Sequence, residues 1–64
     1  MFVIALLVNK NEEYLREKSG DDCFSDELGN ALTYETKEEI NQLGLGEYIV
    51  EVREDKEGFL YKFR

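Results

Sequence analysis

Sixty-four residues at a net charge of −7, with one Cys and no His, Pro or Trp, make one small domain in which nearly every large apolar side chain must serve the core, leaving little chain for a catalytic cavity. The single thiol excludes an intrachain disulfide framework, the lack of His excludes a Cys/His zinc cluster, and both fit a reducing, cytoplasmic setting. So acidic a chain repels nucleic-acid phosphates and anionic lipid heads, so neither direct nucleic-acid binding nor a membrane is expected.

The first predicted element is the apolar run Phe2 to Val8. It is too short to span a bilayer and has neither a basic leader nor a small-residue cleavage pattern, so it reads as a buried strand. Because both alternating faces are apolar, it is expected at the centre of a sheet. Asn9, Lys10 and Asn11 then form a turn, and Glu12 to Lys18 returns as a polar second strand. Tyr14 and Leu15 fall on opposite faces there, so the strand is expected to bury little and to lie at an edge; the good helix formers of the same stretch leave a short helix as the alternative.

Ser19 and Gly20 end that segment, and Asp21 to Asn30 is a turn-rich connection. Phe24 and Leu28, four apart, can share one helical turn over the core as loop anchors. Thr36 followed by Glu39 is a capping-box pattern, and Gly44 after Leu43 is a stop signal, which predicts a helix over Lys37 to Leu43 with Ile40 and Leu43 on the sheet. Glu47 to Arg53 alternates, with Tyr48, Val50 and Val52 on one face. A turn over Glu54 to Gly58 leads to a last strand whose aromatic set, Phe59, Tyr61 and Phe63, is assigned to the inner face.

The expected fold is therefore α+β: one domain over residues 1–64, ordered β-β-α-β-β, with a mostly antiparallel sheet of about four strands and one short helix packed on one face. Ile49 and Leu60 are expected on the less protected sheet face, as a surface for self-association.

No catalytic residue is expected. The neighbouring carboxylates Asp21/Asp22, Asp26/Glu27 and Glu38/Glu39 come with no apolar pocket to raise one pKa. Asp21, Asp22 and Asp26 resemble a sparse calcium ligand set but lack the glycine turn and final glutamate of a calcium loop, so no metal site follows. Cys23 sits beside Asp22 with no histidine to activate it. Gly44 and Gly46 lack the lysine and long helix of a phosphate-binding loop, so no cofactor follows.

Binding is the remaining class. Asp21, Asp22, Asp26, Glu27, Glu35, Glu38 and Glu39, opposed only by Lys37, lie in one stretch that carries six of the seven net negative charges. One reading is a protein-binding or regulatory module, non-enzymatic and able to self-associate, that works through a sheet edge or the Ile49/Leu60 face. The alternative is an acidic inhibitor whose carboxylates, with Phe24 as an apolar anchor, occupy the basic nucleic-acid-binding surface of another protein. With Ala31, Tyr34, Thr36, Glu38 and Glu39 ahead of a glycine-stopped helix and a final hairpin, the chain resembles the small acidic α+β proteins carried by bacteria and their phages. That resemblance implies a host protein as target for the alternative and brings no catalytic residue with it.

Overall fold

Strand β1 (Phe2–Val8) runs through the middle of the sheet, as apolar residues on both of its faces require. The computed structural model describes residues 1–17 and 23–63. Over these the domain is α+β in class, an antiparallel sheet of five strands with short 3-10 turns in place of longer helices.

A two-residue turn at Asn9 and Lys10, both at positive φ (51° and 69°), sends the chain back into β2 (Asn11–Leu15) with Val8 opposite Asn11. Positive φ at both central positions is what the right-handed twist of a tight hairpin demands, and Asn tolerates it better than Lys. The second segment is thus a strand and not a helix. It does not lie at the edge, because β3 (Phe24–Ser25) pairs outside it. Nor does it bury little: Tyr14 is buried. On the other side of β1 come β4 (Tyr48–Glu54) and β5 (Leu60–Lys62), giving the order β3-β2-β1-β4-β5.

The register decides which residues share a face. Ala5 lies opposite both Tyr14 and Tyr48, and Val3 opposite Val50, so these residues share one face with Val52. Val3, Ala5, Tyr14 and Val52 are its buried core, closed by Met1, Leu28, Ala31, Tyr48, Val50 and Leu60. Ala5 supplies the small side chain between two tyrosines. Leu28 belongs to a 3-10 turn, Leu28–Asn30, that packs against both β2 and β5, and Phe24 lies in β3 opposite Leu15. The two residues therefore anchor the connection, as expected, without sharing a helical turn.

The helix expected over Lys37 to Leu43 is a single 3-10 turn, Lys37–Glu39. Its start signal works as read: the Glu39 carboxylate accepts the backbone N–H groups of Thr36 (3.0 Å) and Glu35 (2.7 Å). The turn does not propagate, since Ile40 already has extended backbone (φ −91°, ψ 91°), and a seven-residue segment with two apolar side chains cannot offset the cost of nucleation. Gly44 accordingly caps no helix. Its N–H donates to Glu47 Oε1 (2.6 Å) at the head of a turn, closed by the Glu47 N–H on the Gly44 carbonyl (3.1 Å), in which Gly46 supplies φ +82°. Ile40 and Leu43 do reach the second face of the sheet, lining an open cleft of about 510 Å3 with Ile4, Leu15 and Tyr34.

Candidate protein-binding edge

The β4–β5 connection is shaped by Asp55. Its carboxylate accepts the N–H groups of Glu57 and Phe59, both at 2.9 Å, and its carbonyl accepts that of Gly58 (3.1 Å), which sits at φ +89°. This loop sets the phase of the last strand: Glu54 faces Leu60, Arg53 faces Tyr61 and Val52 faces Lys62. Leu60 therefore lies on the core face. Phe59, Tyr61 and Phe63 are 66%, 47% and 43% exposed. The inner-face assignment of the aromatic set is thus reversed, and so is the pairing of Ile49 with Leu60. Leu60 packs on the core, whereas Ile49, opposite Ile4, lies half-buried on the other face.

The exposed aromatic row is ordered by its neighbours. The Arg53 guanidinium stacks over the Phe63 ring at 3.6 Å from its centroid, a contact that rigidifies an exposed ring. Phe59 forms one wall of an open cleft of about 500 Å3 shared with Met1, Ala31, Thr33 and Leu60.

Backbone direction along β5 follows from two bonds. The N–H of Asp55 donates to the carbonyl of Phe59 (3.0 Å), and the N–H of Phe63 donates to that of Glu51 (3.1 Å). Odd-numbered residues thus direct their backbone polar groups at β4, and Leu60 and Lys62 direct theirs outward along the sheet's rim. The opposite rim, β3, is two residues long.

Beside this edge lies a polar cluster that no motif announced. The Glu12 carboxylate on β2 accepts the Tyr14 hydroxyl (2.6 Å), the Tyr48 hydroxyl (2.5 Å) and the Lys62 ammonium (2.7 Å). The sheet coils so that β5 comes round toward β2, and Lys62 and Glu12 tie the two together. Lys62, then Tyr14, then Tyr48 hold the Glu12 carboxyl down from the ordinary 4.5 to about 2. Burial first, and the bond to Glu12 second, push the Tyr14 phenol up to about 12. Tyr48 is also raised, by its bond to Glu12 before burial. The signal for this cluster in the sequence was parity: Glu12, Tyr14, Tyr48 and Lys62 are all even-numbered residues on strands of one face.

Of the carboxylates singled out in the sequence, Asp21 and Asp22 lie outside the described residues. Asp26, Glu27, Glu35, Glu38 and Glu39 are exposed. Glu27 accepts the Asn30 side-chain amide (3.0 Å) and Glu39 caps its own turn, so two of the five already serve local structure. Phe24 is half-buried in β3. Cys23 is half-buried. Among the described residues, no group of three or more Cys, Asp or Glu side chains is placed to hold a metal ion, and no helix is long and apolar enough to cross a membrane. No family model, no curated protein and no solved structure matches the chain.

Proposed function

We propose that this chain is a non-enzymatic protein-binding or regulatory module of the cytoplasm that engages its partner through β5. The observation that carries the reading is the conjunction at that strand of outward backbone groups and three exposed aromatic side chains, the materials of recognition by strand addition. A domain this small has few large apolar residues to spare, so placing Phe59, Tyr61 and Phe63 in solvent costs core and fits a surface used for contact. The Glu12 cluster fits a structural role beside it: a carboxylate held ionised by three donors is a poor proton acceptor at neutral pH.

The acidic reading ranks second. It rests on Asp26, Glu35 and Glu38, which are exposed and unopposed apart from Lys37, and it implies a host protein with a basic nucleic-acid-binding surface as target. Capture experiments with three baits separate the two: the intact chain, Tyr61→Lys, and a variant neutralised at Asp26, Glu35 and Glu38. Loss of the captured protein with Tyr61→Lys alone supports the edge. Loss with the neutralised bait alone, together with steep weakening in salt, supports acidic docking and contradicts the edge.

A further inference from the structure

We infer that the partner of β5 is β5 of a second copy, joined antiparallel about a twofold axis at Tyr61; this rests on the protein-binding reading above and names its partner. Three observations carry it.

The first is the direction of the free backbone groups. Because Leu60 and Lys62 point theirs outward, an antiparallel mate must place even residues in the hydrogen-bonded positions. An axis at Tyr61 does so, setting Leu60 of each copy against Lys62 of the other.

The second is charge. From Glu54 to Arg64 the chain carries three acidic and three basic residues and so no net charge, on a chain of −7 overall. This is a stretch where two copies can approach without meeting their own repulsion. Its order is polar as well, with a net −2 over residues 54–57, where Lys56 offsets one of the three acids, and +2 from Lys62 and Arg64 later in the sequence, so antiparallel pairing runs the basic end of each copy toward the acidic end of the other.

The third is that the strand's charged residue does not guard the edge. A lysine on a rim strand ordinarily discourages pairing, but Lys62 is drawn back to Glu12 at 2.7 Å. Across the axis, Tyr61 then meets Tyr61 and Phe59 meets Phe63, which extends the aromatic row over both copies and covers the flanks of neighbouring rings.

The test is sedimentation equilibrium of the full chain from about 10 μM to 1 mM, together with cross-linking of two exposed-site variants in a Cys23→Ser background. A dimer is expected, weakened at least about tenfold by Tyr61→Lys, which sets two ammonium groups across the axis. The melting curve of that variant at low concentration should match the parent. Tyr61→Cys should cross-link under mild oxidation, because directly opposed residues of a non-hydrogen-bonded pair lie about 4.5 Å apart at Cα, within reach of a disulfide. Phe63→Cys should not, because its counterpart is Phe59. A monomer at every concentration overturns the inference, as does a dimer that Tyr61→Lys leaves intact or that cross-links through Phe63→Cys. If the chain is monomeric and still captures another protein in a Tyr61-dependent way, self-pairing fails and the protein-binding reading stands.

Discussion

Lys62 Nζ lies 2.7 Å from Glu12 Oε1 across fifty residues of sequence, and this one contact joins the outer strand β5 to β2 on the far side of the central strand. It closes the core face over Tyr14 and Tyr48, whose hydroxyls share the same carboxylate. It also turns the strand's ammonium inward, leaving aromatic rings as the outward display.

The cluster makes stability depend on acid in a stated window. Since folding lowers the Glu12 pKa from 4.5 to about 2, its contribution is complete above about 4.5 and is lost as pH falls through about 2. Glu12→Gln should cost about 1–2 kcal/mol at pH 7, the scale of hydrogen bonds to a charged group discounted for a half-exposed lysine. Denaturant unfolding of both proteins should show that difference shrinking between pH 4.5 and pH 2.

The Tyr14 phenol carries the opposite sign. Its folded pKa is raised to about 12, so the neutral hydroxyl stabilises the fold fully below about pH 10 and that contribution is lost as pH rises through 12. Tyr14→Phe should remove a phenol titrating near 12 from an ultraviolet titration. By taking one donor from Glu12, it should also move that carboxyl upward, read from the Glu12 side-chain carbon shift in NMR. An unmoved Glu12 would mean that the hydroxyl points elsewhere in solution.

Much of this arrangement is legible in the residues. The two-sided apolar run of β1 announces a central strand, the alternation of Tyr48, Val50 and Val52 announces β4, and Thr36 with Glu39 announces a turn that does form. What the pattern could not supply is phase and extent. A strand of alternating Leu60, Tyr61 and Lys62 has two possible faces, and choosing between them takes the loop: Asp55 binding two amides and Gly58 at positive φ bring Leu60 opposite Glu54. The capping box fixes where a helix starts but not whether it grows, and at Ile40 it does not. Glu12 escaped notice because two of its three partners, Tyr48 and Lys62, are remote in sequence.

The tight turn at Asn9 and Lys10 carries a removable strain. Lys10 sits at φ 69°, where a side chain costs about 1 kcal/mol relative to glycine. Lys10→Gly should therefore raise the unfolding free energy by about 0.5–1 kcal/mol, a gain net of glycine's extra chain entropy. Thermal melts of the two proteins check it, and a loss on substitution would contradict the hairpin geometry.

The core is small enough for one deletion to matter. Val52 is fully buried among Val3, Ala5 and Tyr14, and Val52→Ala removes two methyl groups at about 2–3 kcal/mol including the cavity. In chemical denaturation the midpoint should drop sharply, whereas Phe59→Ser, on an exposed ring, should change the unfolding free energy by less than about 0.5 kcal/mol in the monomer.

Amide hydrogen exchange along β5, followed by NMR at two protein concentrations, reads the proposed edge residue by residue. The N–H groups of Tyr61 and Phe63, bonded inward to β4, should be protected at both. Those of Leu60 and Lys62 should exchange freely in dilute solution and become protected as the concentration rises. Fast exchange of Leu60 and Lys62 at every concentration would contradict self-pairing, and protection confined to Leu60 and Lys62 with Tyr61 and Phe63 free would contradict the strand's orientation itself.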